Sequence, residues 1–461
     1  MEQLTALDAG FLEVEDSDPH VSLAVGGVSI VEGPVPTYGE FVAQFAERVA
    51  TVPRCRQVLR THPLDLRPPE WADDPHFDLA RHVHRVALPH PGGDPELFEM
   101  IASLMERRLD RERPLWESWI IEGLSGNRWA VLTKIHHCIA DGIAMTQLFA
   151  KFGDDDGDGG TFAVDVGAAR KVVRRGVDLS KINLNPLSWV SGIGRSAFGA
   201  VTAAEHAAIG AAELATTLLR PAPQSSLHGP VTAMRRYSVA RARLRDMNKV
   251  ARAFGVTLND VALAAITNSY RAVLLARGEQ PGRDSLRTLV PVSVRAVDHF
   301  NVAGNRVSAM LPLLPVDEAD PVRQLKLVHD RLSHAKASGQ SEGGSAMVVA
   351  AKRTPFALSA WTIRLLSRFP QRAVVALASN VPGPRSRQRL MGRRVLELLP
   401  VPPIALQVRT GIGMLSYADS FVFGITADYD SAPDIDALAA GIEKGMAQLL
   451  AAARTRNRKA S

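Results

Sequence analysis

The chain has 461 residues, 46% of them hydrophobic and 22% charged, with a formal net charge of +6. That balance excludes a wholly disordered chain, and the length predicts two large domains or more. The two cysteines, Cys55 and Cys138, lie far apart without a CxxC pair, so neither a disulfide framework nor a structural metal is indicated, and a reducing cytoplasm fits.

The opening stretch MEQLTALDAGFLEVEDSD has acidic residues and no basic region leading into an apolar core, so it does not read as a signal peptide. Further on, Tyr38 to Val49 and Glu96 to Asp110 read as amphipathic helices, with a strand from His82 to Leu88 between them. His82 and His84 alternate on that strand and are expected to be solvated rather than metal ligands. No uncharged apolar run reaches the roughly 20 residues that a bilayer span needs. The positive charge suits anionic partners such as nucleotide phosphates or an acidic membrane surface, without establishing either.

In the segment WAVLTKIHHCIADGIAMTQLFAKF, Trp129, Val131 and Thr133 alternate with Ala130, Leu132 and Lys134. This predicts a strand that delivers His136 and His137 to its end. From Ile143 to Phe152 the apolar residues recur at helical spacing, and Asp141 is placed to cap that helix. Adjacent strand side chains point to opposite faces, so at most one of the two histidines can face a given cleft. A histidine fixed there suits a general base that takes a proton from an alcohol or thiol. An ordinary half-buried pair and a metal site are the other readings of this segment alone. Cys138 beside them reads as a small buried hydrophobe rather than a nucleophile.

Between Gly153 and Ser226 the composition shifts to an acidic glycine run, a basic patch, an Ala/Gly-rich stretch and two prolines, as in a long crossover. Asp154, Asp156, Asp158, Gly159 and Asp165 approach an EF-hand spacing, but Asp stands where the bidentate Glu belongs, so a solvated loop is expected. Ser196 to Leu219 has the pattern of a helix packing on the body or lying on lipid. A second mixed region starts at Val231, with a strand from Tyr237 to Ala242, a helix from about Arg245, and a helix Val261 to Leu275 opened by Asn259 and Asp260.

Several separated segments resemble the bacterial wax ester synthase/diacylglycerol acyltransferase family, above all its actinobacterial triacylglycerol synthase-like branch. They are LTALDAGFLEVED (4–16), FDLARHVHRVALP (77–89), PLWESWIIEGL (114–124), HHCIADG (136–142), GVTLNDVALAAI (255–266), PVSVR (291–295), SNVPGP (379–384) and GIGMLSYADSFVFGITAD (411–428). HHxxxDG alone is shared with chloramphenicol acetyltransferase, carnitine acyltransferases and peptide-synthetase condensation domains. The order of PLW, ND and SNVPGP makes the resemblance specific, and it covers nearly the whole chain.

The resemblance implies a mixed α/β fold of two chloramphenicol-acetyltransferase-like domains with a tunnel at their interface. The N-terminal domain would be 1–152, the crossover 153–226 and the C-terminal domain 227–461. It also implies an acyl-CoA-dependent O-acyltransferase that makes triacylglycerol from diacylglycerol, with wax ester formation on fatty alcohols as an added activity. His137 would be the base in a direct transfer, and His136 would orient or pack beside it. Asp141 would pair with a distant arginine, for which Arg295 is the candidate, and Gly142 would allow close backbone approach. Asn259 and Asn380 would face the oxyanion or the acyl-CoA, while Asp260 would stabilise its turn, and the Trp116 segment would be core. No cofactor or metal beyond the acyl-CoA substrate is expected, and no nucleic acid. A cytoplasmic protein is expected, associated peripherally with the inner face of the plasma membrane or a lipid droplet. The rival readings are transfer to another hydroxyl acceptor, as in condensation-like relatives, or a catalytically silent lipid-binding protein.

Overall fold

A computed structural model describes residues 2–62, 67–139, 153–154, 220–293, 307–337, 356 and 371–460. The first half runs α1 (Ala6–Ser17), β1 (Ala24–Glu32), α2 (Tyr38–Ala50), β2 (Gln57–Arg60), β3 (Glu70–Asp73), β4 (Val83–Ala87), α3 (Asp94–Glu106), β5 (Trp116–Leu124) and β6 (Arg128–His136). Thr37 and Glu40 form a capping box at the start of α2, which buries Phe41, Phe45 and Val49 four residues apart on one face. Helix α3 stops short of the predicted Asp110. The buried Lys134 ammonium donates to the Leu104 carbonyl (2.9 Å) and to that of Arg107, closing the helix C-terminus there.

The second half continues with β7 (Arg235–Arg243), α4 (Leu244–Phe254), α5 (Leu258–Ala276), β8 (Thr288–Ser293), β9 (Val307–Met310), α6 (Pro321–Ala337), β10 (Ala376–Pro382), β11 (Arg389–Leu390), β12 (Arg393–Val401), β13 (Thr410–Tyr417), β14 (Ser420–Asp428) and α7 (Ile435–Ala460). Thr257, not Asn259 or Asp260, is the N-cap of α5, so the helix starts three residues earlier than its apolar pattern suggested. Strand β7 and helices α4 and α5 lie close to where their periodicity put them.

Two six-stranded sheets carry the fold, in the orders β11-β12-β1-β6-β5-β4 and β7-β14-β13-β10-β8-β9. The exchange lies in β11 and β12, which come from the second half yet complete the first sheet, with Gly26 of β1 opposite Val401 of β12. That strand crosses the second sheet where side chains are missing. A Cβ at Gly424 would run into the Pro400 carbonyl oxygen, and one at Gly413 would press on Pro400 and Pro402 at 3.2 Å. Tyr237, buried, donates from its hydroxyl to that same carbonyl at 2.9 Å. The proposed boundary after residue 226 is therefore crossed by a strand, and Tyr237, Val239, Leu415 and Val422 pack in the core of the first sheet.

Three local expectations change. His82 precedes its strand and is buried, stacked on Trp116 (ring centroids 4.7 Å apart) with Nδ1 2.8 Å from the Trp116 carbonyl; burial holds its pKa down, so it is a core residue and not a solvated one. His84 is half-buried against Trp119. Strand β6 is buried from Trp129 to His136 because β1 and β5 flank it, so its alternation marks faces without marking exposure. Asp154, the described carboxylate of the acidic run, is no free loop residue: it accepts from the Met391 N–H and the Gln44 amide (both 2.9 Å) and from the Gly392 N–H. It ties the chain just after the histidine motif to the β11–β12 turn.

Candidate active site

His137 is the first residue beyond β6, where Ala24 of β1 stands opposite His136 and the His137 N–H donates to the Leu23 carbonyl at 3.0 Å. Its side chain is half-buried and lines a cleft between the two sheets. One side is the first sheet, with β1 from Val25 to Ser29 and β12 with its end from Leu398 to Pro403; the other comprises Leu377, Ser379, Val381, Met414 and Leu415 of the second. The cleft spans about 880 Å³, its open mouth included. Among the side chains that line it, only those of His137, Ser29 and Ser379 are polar, and His137 is the one imidazole among them. An apolar recess that shares Ser29, Pro384 and Leu398 extends it towards Phe41, Phe45 and Leu390.

Helix α1 holds both histidines. Phe11 and Glu15 are four residues apart, hence on one helix face, and they meet two consecutive residues of the motif. The Phe11 ring stacks on His137 with centroids 4.2 Å apart and planes at 24°. Glu15 is buried and places Oε2 3.4 Å from His136 Nε2. The Cys138 N–H donates to His136 Nδ1 (3.2 Å), which leaves the imidazole proton on Nε2 facing the carboxylate. Glu15 also accepts from the Leu23 N–H (2.9 Å) and from Arg111 (2.8 Å). Burial alone would raise the Glu15 pKa, but His136, Arg111 and the Leu23 amide outweigh it and lower it to about 2. Arg108 donates to the Val21 carbonyl (2.8 Å) and to the carbonyls of Glu15 and Asp18, fixing the end of α1.

Sequence reasoning quoted the α1 segment for its resemblance but assigned Phe11 and Glu15 no role. The signal was present: a carboxylate that stays on the same helix face as an aromatic calls for a buried partner. His136 is thus buried against a carboxylate of α1. Cys138 is buried and its thiol pKa is pushed far up by desolvation, so it is not a thiolate nucleophile. Trp116 is fully buried and donates from Nε1 to the Cys55 carbonyl at 2.8 Å, as a core residue should.

On the C-terminal side, Asn259 and Asn380 meet, the Asn380 amide donating to Asn259 Oδ1 at 3.3 Å. Ser379 and Val381 line the cleft and Asn380 between them does not. Asp260 is buried, accepts from the Thr257 N–H (2.9 Å) and faces His329 Nδ1 at 2.8 Å, which makes it a cap and a helix-to-helix tie. Asp141, Gly142 and Arg295 lie outside the described residues, as do the predicted helices 143–152 and 196–219 and the crossover from 155 to 195. Among the described residues, no group of three or more His, Cys, Asp or Glu side chains could hold a metal ion.

Two sheets joined by an exchanged strand, with one histidine at the end of an apolar cleft, make a chloramphenicol-acetyltransferase-like fold. The fold matches that of the wax ester synthase/diacylglycerol acyltransferase from Marinobacter aquaeolei VT8 (TM-score 0.66, 24% identity, covering 98% of this chain and 100% of that one). It also matches the first condensation domain of the calcium-dependent antibiotic synthetase (TM-score 0.62, 15% identity, 98% and 95%). Residues 4–262 match the model of the wax ester synthase/diacylglycerol acyltransferase catalytic domain, and 303–450 that of the WS/DGAT C-terminal domain. The probable diacylglycerol O-acyltransferase tgs1 of Mycobacterium tuberculosis is 51% identical over 456 residues, spanning 99% of this chain and 97% of that protein. The chain belongs to the wax ester synthase/diacylglycerol acyltransferase family.

Proposed function

We propose that the protein transfers a long-chain acyl group from acyl-CoA to the free hydroxyl of diacylglycerol, giving triacylglycerol and CoA. His137 is the general base. Its neutral imidazole takes the hydroxyl proton as that oxygen attacks the thioester carbonyl, and the proton then passes to the departing CoA sulfur, so no acyl-enzyme forms. The observation that carries this reading is that His137 is the one titratable side chain lining the described cleft. Apolar walls suit hydrocarbon chains and keep competing water from the thioester. The names of the relatives support diacylglycerol as acceptor, and a rhizomide synthetase starter condensation domain of similar fold (TM-score 0.58, 12% identity) has been solved with C8-CoA.

In this reading Asp141 and Arg295 pair to shape the motif loop, Gly142 allows close approach, and Asn259 with Asn380 braces the C-terminal wall. The protein works in the cytoplasm, at the inner face of the plasma membrane or on a lipid droplet, where its acceptor is dissolved. Labelled acyl-CoA offered with diacylglycerol, a long-chain alcohol and a peptidyl-carrier thioester tests the assignment by product. Triacylglycerol as the main product is expected, with wax ester as a minor one; acylation of the carrier-bound acceptor alone would overturn it.

A further inference from the structure

A second hollow lies beyond the end of β10, about 850 Å³ with its mouth included, and its character is opposite to that of the cleft. Arg243 at the end of β7, Arg245 in the first turn of α4 and Arg387 on the β10–β11 loop converge on it, above Tyr417 to Ser420. Asp419 is the one carboxylate that lines it. Among the described residues, Arg243 and Arg387 have no carboxylate partner within 4.0 Å, and Arg245 approaches only Asp246, at 3.8 Å. Three exposed guanidiniums from separate elements repel one another unless an anion sits between them, and their planar forks suit phosphate oxygens.

The loop that carries Arg387 is held in advance. At one end the Pro384 carbonyl accepts from the Ala418 N–H at 3.0 Å. At the other the Gln388 N–H donates at 2.7 Å to the buried Tyr417 hydroxyl, which donates in turn to the Val395 carbonyl at 2.9 Å. Gly383 is required for this path, since a Cβ there would run into the Ser416 carbonyl oxygen. The same Pro384 lines the apolar cleft, so the hollow and the cleft are separated by one turn of chain. From that end to His137 the cleft follows four residue steps of β1, about 13 Å at strand rise.

We infer that this hollow binds the phosphorylated nucleotide of the acyl donor, the 3′-phospho-ADP group of CoA, through Arg243, Arg245 and Arg387. The pantetheine arm then runs past Pro384 along β1 and presents the thioester to His137. This rests on acyl-CoA being the donor. It adds where the donor is gripped and which end of the cleft it enters.

The test compares acyl-CoA with S-acyl-pantetheine, which carries no nucleotide, and measures binding of adenosine 3′,5′-bisphosphate by calorimetry. Arg243→Ala and Arg387→Ala are each expected to raise KM for acyl-CoA about tenfold, the loss of one charge-assisted phosphate contact, with kcat nearly kept. KM for S-acyl-pantetheine should stay put, Arg387→Lys should recover part of the loss, and bisphosphate affinity should fall in the same order. Equal damage with both thioesters, or an unchanged KM for acyl-CoA, would overturn the assignment. So would loss of binding to phosphatidylglycerol vesicles with bisphosphate affinity intact, which would make the hollow a lipid-surface contact. Should the wild type turn over neither thioester, the acyltransferase reading fails, and the bisphosphate titration still decides the hollow by itself.

Discussion

The two sides of the His137 cleft are built on different principles. On the α1 side the packing is directed: Glu15 meets His136, Arg111 and the Leu23 amide, and Phe11 covers the His137 ring. The opposite side is a wall of Leu377, Val381, Met414 and Leu415 from the second sheet, with Ser379 as its polar side chain. Geometry is fixed where protons move, and shape alone is supplied where hydrocarbon lies. Substitutions on the α1 side should therefore change rate and stability, and those on the far wall should change selectivity.

The largest effect on this comparison is expected at Glu15. Glu15→Ala strands His136 and Arg111 in a buried site and should cost about 3 to 5 kcal/mol of stability, read as a large drop in the midpoint of chemical unfolding. An unchanged midpoint would mean that α1 is not fastened by this carboxylate. The same residue sets an acid limit. Its carboxyl titrates at about 2 in the fold against 4.5 ordinarily, so its contribution, worth about 3 kcal/mol, is complete above pH 4.5 and is lost as the pH falls towards 2. Glu15→Gln should flatten the stability profile across that window, and an identical profile in wild type and variant would contradict the pairing.

A smaller change is expected at Phe11. Replacement by Leu keeps an apolar contact but removes the ring face that steadies the imidazolium formed during transfer, so kcat should fall several-fold with KM unmoved, and the acid limb of the rate profile should shift downward. Phe11→Tyr should restore both. The least effect on rate belongs to the far wall: Leu377→Trp narrows the cleft and should lower kcat/KM for the longest chains while short-chain turnover and the unfolding midpoint hold. Loss of turnover at every chain length would blur the distinction between the sides.

Much of this was legible along the chain because local signals agreed with the global fold. The helix from Tyr38, the strand ending at His136 and the body of the helix from Val261 to Leu275 all follow from their apolar pattern, whereas the Thr257 cap does not. The family motifs named the reaction and picked out His137. What could not be read was produced by distance in sequence. Nothing local marks β12 as a strand of the first sheet, because its pairing with β1 joins residues more than 360 apart and depends on bare glycines at 413 and 424. For the same reason the burial of His82 is not visible locally, since its stacking partner Trp116 lies 34 positions on. The meeting of Phe11 and Glu15 with the histidine pair was hidden likewise, although their spacing of four already put them on one face.

The central claim is that His137 takes the proton from the acceptor hydroxyl, and the most direct test is initial-rate formation of triacylglycerol by His137→Ala with acyl-CoA and diacylglycerol. A fall in kcat of about 10² to 10⁴, with acyl-CoA binding and the unfolding midpoint near wild type, is the predicted result. Turnover at the wild-type rate would contradict it and place the base elsewhere.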